Sequence, residues 1–375
     1  LSVFVAAKNI ISPLGFTSKA NFDAICQGKS GVRLVDEKPY VEPFFGAEID
    51  RAAIAKKNTD LGHYTFLEQL LILSVKDALS QDTSIDITSK QTAIVLSTTK
   101  GNVDILDTEN IKGFASEKKY LWNTGAMLAS YFKNPNQTYI ISNACVSGIL
   151  ALNLAKRLIN AGQYEQVVVV GVDILSPFIV SGFQSFKAIS PGICKPYDKN
   201  RDGINLGEAC ATIILKKGEG DLAILGGSST NDANHISGPS RTGEGLLLSI
   251  QKTLKSSGVS VSEIDYVSGH GTATPYNDEM ESFAVSRAGL SSVPMNSLKS
   301  YFGHTLGAAG VLESVITLHS MQENTLVGTL GHKENGVSQP INIISKTESR
   351  ELKTCIKLGA GFGGSNGSIL FRKNG

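Results

Sequence analysis

Two distant stretches of the chain share one local plan, and that plan restricts the fold more than any other feature. "YIISNACVSGILALNLAKRL" runs from strand formers through Asn-Ser and a loop of small residues into a helix-like stretch. "VPMNSLKSYFGHTLGAAGVLESVITLHSM" repeats the order, with a Gly-rich loop before its helix. A helix, a strand and a Gly loop precede each: "FLEQLLILSVKDALSQ" with "TAIVLSTTKG", then "GEGLLLSIQKTLKSSG" with "IDYVSGHGTAT". An apolar strand follows each, "QVVVVGVDIL" or "TCIKLGAGFGGSNGSILF". Repetition on this scale predicts a duplicated α/β unit. Strands alternating with helices of this length predict largely parallel sheets buried between helix layers. The join falls near "KKGEGD", which gives halves 1–218 and 219–375. "EKPYVEPFFGAEIDRAAIAKKNTDLGHY" lacks the rhythm and reads as a loop with short helical pieces.

Composition narrows the class. With 41% hydrophobic and 18% charged residues, the chain suits a soluble globular protein. A formal charge of +1 gives no overall field for nucleic acid or an anionic membrane. No apolar run approaches the roughly 20 residues of a membrane span. The opening "LSVFVAAKNIISPLG" reads as a first strand rather than a signal peptide, since no basic segment precedes it. Five cysteines without a CxxC pair argue against a zinc site or a disulfide framework and for a reducing cytoplasm.

Against this background Cys145 stands out. It lies where a strand turns into a helix. Alone it reads more readily as a small buried residue than as a nucleophile. A helix N-terminus lowers a thiol pKa from about 8.5, and Ala144, Ser147 and Gly148 leave room for a substrate. His270, after a predicted strand, and His304, at the mouth of a Gly/Ala-rich helix start, could donate hydrogen bonds to a carbonyl oxygen becoming an enolate. Lys299 would add positive charge nearby. The glycines around Phe362 would let a backbone N–H reach an acyl oxygen. His63, His235, His319 and His332 read as surface or packing residues, and Cys26, Cys194, Cys210 and Cys355 as structural. "SPFIVSGFQSFKAIS", with Ile179, Phe183 and Phe186, reads as a loop folded over something apolar, or as plain core.

These segments together resemble the elongating, type II-like β-ketoacyl-[acyl-carrier-protein] synthases of the thiolase-like superfamily. "NACVSG", "KPYDKNRDGINLGEACA", "HGTATPYND", "NSLKSYFGHTLGAAGVLE" and "GFGGSN" occur in family order across nearly the whole chain. The resemblance implies an α-β-α-β-α layered fold built from two duplicated halves. It implies that Cys145 carries the growing acyl chain, and that His270 and His304 bind the extender thioester and promote its decarboxylation. Lys299 matches the lysine beside that pair, and Glu313 a glutamate that interacts with the lysine. Asp278 matches the acidic end of the HGT motif. Thr272 and Thr274 match residues around the carrier arm. The amides of Phe362 and Cys145 match an oxyanion hole, and the Phe362 ring a gate. No metal or organic cofactor is implied. The partners implied are acyl- and malonyl-loaded acyl carrier protein, and a second subunit, identical or a related non-catalytic chain-length partner.

Two local departures stand out: Ile204 where an aromatic residue is usual, and Ser268-Gly269 where Asn-Ala is common. Some stretches before Cys145 and near "SSVPMN" are short for the family, so a polyene or pigment pathway is as open as primary fatty acid synthesis. A thiolase would call for a second cysteine in the C-terminal Gly-rich loop, and "GAGFGGSNG" has none.

Overall fold

The computed structural model describes residues 2–37, 39–57, 59–106, 113–232, 234 and 238–374. Its centre is an eleven-stranded sheet. In chain order the strands are β1 (Val3–Ile11), β2 (Thr92–Ser97), β3 (Tyr139–Ile141), β4 (Gln166–Asp173), β5 (Ala209–Lys217) and β6 (Leu222–Asn231). They continue as β7 (Tyr266–Ser268), β8 (Pro294–Asn296), β9 (Asn342–Ile343), β10 (Thr354–Gly361) and β11 (Ser365–Lys373). The spatial order is β9-β8-β7-β10-β11-β6-β1-β5-β4-β2-β3. Read outward from the middle, β1-β5-β4-β2-β3 is mirrored by β6-β11-β10-β7-β8. The two arms join through a single residue pair, Phe4 with Ala223.

Each arm is mixed rather than largely parallel. β2 pairs parallel with β3 and β4, and β7 with β8 and β10. β5 runs antiparallel to β4 and β1, and β11 to β10 and β6. For β11 the cause is connection length. β10 and β11 are joined by the short turn Phe362–Gly364, and a hairpin can only return antiparallel.

The helices form the other layers. On one outer face, α1 (Phe66–Ser80) packs on β1, β5 and β4. Thr65 and Glu68 close a reciprocal cap at its start. Between the arms lie α2 (Ser147–Asn160) and α5, which spans Ala309–Glu323. On the far face α3 (Glu244–Ser257) covers β6 and β11, and α4 (Pro275–Arg287) packs against α3. This is the expected α-β-α-β-α stack. α5 is buried all round from Ala309 to Met321, as a helix between two sheets must be. α2 and α5 touch backbone to backbone. A Cβ on Gly148 would lie 2.6 Å from the Val311 nitrogen, and one on Gly310 2.4 Å from that of Ile149. Gly148 therefore makes room for a helix, not for a substrate.

The irregular segment contains the expected short helix, Arg51–Lys57, and also a strand, Phe44–Ala47, in a separate small sheet. "SPFIVSGFQSF" is not a loop. Pro177–Ser185 is a helix, with the Ser176 side chain accepting from the Ile179 N–H and Pro177 in its first turn. No helix among the described residues is long and apolar enough to cross a membrane.

Candidate active site

The nucleophile loop is held by neutral hydrogen bonds. After β3 the chain passes through Ala144, a non-glycine residue at φ 43°, before α2 begins at Ser147. The Ser147 hydroxyl accepts from the Asn143 N–H at 2.7 Å and donates to the Ala144 carbonyl at 2.7 Å. Ser365, at the start of β11, donates to the Asn143 side chain at 2.8 Å. Cys145 is thereby presented, half-buried, toward a cavity of about 270 Å³.

The two imidazoles come from the other half. His270 follows β7, and its loop is pinned by α4. Glu281 accepts from the backbone N–H of His270 at 2.6 Å and of Gly271 at 2.8 Å. Asp278 accepts from the Thr272 N–H at 2.9 Å and the Tyr197 N–H at 2.8 Å. His304 follows β8 and a short helix, Lys299–Phe302, and its N–H donates to the Asn205 carbonyl at 2.7 Å. The two rings meet edge to face with centroids 5.3 Å apart. The Cys145 sulfur and one nitrogen from each ring lie within 4.8 Å of one another. Both nitrogens of the buried His304 ring are without a hydrogen-bond partner, so they are free for a substrate.

Every expected site residue falls in or behind this cavity. Cys145, His270, His304, Thr272, Thr274 and Phe362 line it. The Thr272 and Thr274 hydroxyls are 2.7 Å apart. Lys299, Glu313 and Asp278 stand behind, with the Lys299 ammonium 2.5 Å from Glu313. Phe362, 44% exposed, stacks on Phe183 with centroids 6.0 Å apart and meets Phe186 edge-on. A larger groove of about 900 Å³, bounded by Tyr40, Arg51 and Asp104, contains neither a thiol nor an imidazole.

The electrostatics differ from the expectation at the thiol. Burial pushes Cys145 up to about 11, although the Lys299 charge and the Phe362 N–H act the other way. Burial, with the charges of Lys299 and Lys357, holds both imidazoles well below their ordinary value. They are neutral at physiological pH and able to donate hydrogen bonds. Burial raises Asp278 to about 6. Burial disfavours ionisation of Glu313, yet Lys299 and Lys357 hold its carboxyl below the usual range.

The remaining readings divide. His63 is exposed and His332 half-buried, while His319 is buried against Phe22. His235 lies outside the described residues. Cys355 is fully buried on β10 and does not line the cavity. Ile179 is core, packed with Val35, Phe44 and Leu206, whereas Phe183 and Phe186 face the cavity.

Four polar residues behind the site had no signal read from them. Glu281 stands one helical turn after Asp278, a spacing that places both on one face of α4. Tyr197 donates to Glu281 at 2.8 Å. Asp173, at the end of β4, accepts from Thr98, Thr99 and the Gly307 N–H. Lys357, on β10, ion-pairs with Glu313 at 2.6 Å. The departure at Gly269 has a steric cause: a Cβ there would lie 2.3 Å from the Tyr197 hydroxyl and 2.4 Å from the Met295 methyl.

Residues 2–221 match the family model "Beta-ketoacyl synthase, N-terminal domain", and residues 222–333 match "Beta-ketoacyl synthase, C-terminal domain". A 3-oxoacyl-[acyl-carrier-protein] synthase 2 of Vibrio harveyi is 26% identical over 411 residues, covering 99% of this chain and 98% of that protein. A synthase of the same name from Vibrio cholerae is 33% identical over 256 residues, 62% of this chain and 61% of its own. The fold is shared with a ketosynthase from Xenorhabdus doucetiae solved in complex with its chain length factor. That match has a TM-score of 0.90 at 23% identity and covers 100% of this chain and 98% of the other.

Proposed function

The chain belongs to the β-ketoacyl synthase family, and we propose that it is a 3-oxoacyl-[acyl-carrier-protein] synthase extending an acyl chain held on Cys145 by two carbons from malonyl carrier protein. The observation that carries this reading is the meeting of one thiol and two neutral imidazoles within 4.8 Å at the floor of one cavity.

Loading comes first. Cys145 Sγ attacks the carbonyl of an acyl thioester as the thiolate, its proton having passed to solvent. The tetrahedral oxyanion lies between the amides of Cys145 and Phe362. Its collapse forms acyl-Cys145 and expels the carrier thiolate, which takes a proton back from solvent. Extension follows. Malonyl carrier protein places its thioester oxygen between His270 and His304. Carbon dioxide leaves, and the electron pair it leaves behind forms an enolate whose oxygen both imidazoles hydrogen-bond. The enolate carbon attacks the acyl-Cys145 carbonyl, and the thiolate departs. Asp278 and Glu281 hold the His270 loop in place through its N–H groups, and the Lys299–Glu313 pair stands behind the imidazoles. The chain's own residues suffice for each step, with no metal or organic cofactor called for.

The reading extends to partners and organisation. An acyl carrier protein delivers both substrates. The open sheet edge at β3, near the exposed and mutually stacked Tyr120 and Trp122, suits pairing with a second subunit, either another copy or a related chain-length partner. Light scattering with and without such a partner separates the two. The mirrored strand order supports the division into halves 1–218 and 219–375. Five free thiols support a cytoplasmic location.

The test is a reaction of acyl carrier protein with isotopically labelled malonyl carrier protein, read by mass spectrometry. A labelled β-ketoacyl product two carbons longer, absent with Cys145→Ala, is expected. Labelled acetyl carrier protein alone, with acyl-Cys145 left unextended, would reduce the protein to a decarboxylase. Cleavage of a β-ketoacyl thioester by coenzyme A would make it a thiolase.

A further inference from the structure

Lys357 is a buried charge with no part in the steps above. It is 1% exposed. Its ammonium is 2.6 Å from one oxygen of Glu313, and the other oxygen holds Lys299 at 2.5 Å. One carboxylate thus serves two ammonium groups, Glu281 and Asp278 supply two further buried carboxylates around the His270 loop, and the Lys357 charge is closed off from bulk solvent. Such a charge is costly to bury, and an apolar side chain of the same length would fill the space without that cost.

The remaining contacts of Lys357 say where the charge acts. The ammonium donates to the carbonyls of Gly269 at 2.8 Å, Ser268 at 3.3 Å and Leu358 at 2.5 Å. Ser268 and Gly269 are the two residues before His270. On the amide side the same loop is held by Glu281, at His270 and Gly271, and by Asp278, at Thr272. Gly269 also lets the backbone lie against Tyr197, where a Cβ would collide. The His270 loop is therefore gripped by carboxylates through its N–H groups and by an ammonium through its carbonyls.

We propose that Lys357 is a positioning residue for the decarboxylating half-reaction: it fixes the loop that aims His270 beside His304, the pair between which the enolate forms. The inference rests on the roles proposed for His270 and His304. It leaves loading of Cys145 untouched, because the nucleophile loop makes no contact with Lys357.

The test separates the half-reactions in Lys357→Met, which keeps the length and removes the charge. Acyl loading of Cys145 is read by intact-protein mass spectrometry and decarboxylation by release of labelled carbon dioxide. Decarboxylation kcat is expected to fall about 10- to 100-fold, with KM for malonyl carrier protein and the loading rate each within about threefold of wild type. Should that variant not fold, Lys357→Gln, which keeps an N–H donor for the carbonyls, is expected to show the same selective loss of decarboxylation at a smaller size. Equal losses in both half-reactions, unchanged decarboxylation with a lowered melting temperature, or failure of both variants to fold would each make Lys357 a structural anchor and overturn the proposal. A wild-type protein that does not decarboxylate malonyl carrier protein would instead remove the parent reading.

Discussion

Cys145 and His304 occupy matching places in the two halves, each in a loop that leads from a strand into one of the two central helices. They are held in opposite ways. The Cys145 loop rests on neutral hydrogen bonds from Ser147, Asn143 and Ser365, with a strained Ala144 and a half-exposed ring, Phe362, beside it. The imidazole side is backed by buried charges: Lys299, Lys357, Glu313, Glu281 and Asp278. The difference follows the chemistry. A nucleophile must be reached by a large substrate and must move through a tetrahedral intermediate. Donors to an enolate must already be in place when carbon dioxide leaves, because reorientation at that moment costs rate.

The largest effects should come from exchanging the two sides. Cys145→Ala is expected to abolish the acyl adduct seen by mass spectrometry while decarboxylation of malonyl carrier protein persists within about tenfold. His304→Ala is expected to lower decarboxylation about 10³-fold, as loss of one preorganised donor does, with loading reduced less than about tenfold. If both variants lose both activities equally, the two sides are one unit and the contrast fails.

Stability should show the same contrast at a smaller size. Glu313→Ala strands two buried ammonium groups and is expected to cost about 3–5 kcal/mol. Ser365→Ala removes one neutral hydrogen bond to Asn143 and is expected to cost about 1 kcal/mol. Urea melts of both variants measure the gap. Equal midpoints would mean that the buried charges are relaxed by water rather than fixed.

Protonation sharpens the contrast further. With the Cys145 thiol near 11, thiolate is scarce at neutral pH and rises about tenfold per pH unit. Iodoacetamide labelling of the free protein is expected to climb at that slope from pH 7 to 10, with Cys145 labelled ahead of Cys194, Cys210 and Cys355, which are buried. The imidazoles carry lowered values and stay neutral above them, so decarboxylation should be flat from about pH 8 to 7. Below that it should fall as Asp278, near 6, gains a proton and weakens its hold on Thr272. A labelling plateau near pH 7 would show that the helix start overcomes desolvation after all.

What the sequence made legible follows from this division. Cys145, His270, His304 and Lys299 are residue types with few ordinary reasons to stand beside Gly-rich loops, and the alternation of strands and helices around them is local. Lys357 is different. In "TCIKLGAG" it reads as one polar residue in a strand. Its burial depends on Glu313, which reaches it from a helix far away in the chain, so no local pattern announces it. The antiparallel course of β5 and β11 is hidden likewise, because periodicity reports that a strand exists and not its direction. The helix at Pro177–Ser185 had a usable signal, Ser176 followed by Pro177, but the glycine and serines within it pointed toward a loop. The upward push on the Cys145 thiol is hidden in the same way, because the start of α2 can be read from the sequence, whereas desolvation requires the walls of the cavity.

The smallest effect concerns the wall that both sides share. Phe183 stacks on Phe362 over Cys145, Phe186 touches the same ring from the solvent side at 60% exposure, and Ile179 points into the core. One helix and the residue that caps its end thus supply a wall residue, a rim residue and a packing residue. Truncating the wall in Phe183→Ala opens space next to the nucleophile, and each methylene buried there gains about 0.8 kcal/mol. Selectivity in loading Cys145 is expected to shift several-fold toward longer acyl chains, with decarboxylation unchanged because the His270 and His304 loops do not contact that ring. Phe186→Ala, at the rim, should shift it less. Ile179→Ala should lower the melting temperature and leave the chain-length profile alone. Competition among acyl carrier proteins of graded length, scored on trapped acyl-Cys145, measures all three. A profile that moves with Ile179 but not with Phe183 would place length control in the core beneath the helix and leave the aromatic rings only the gate.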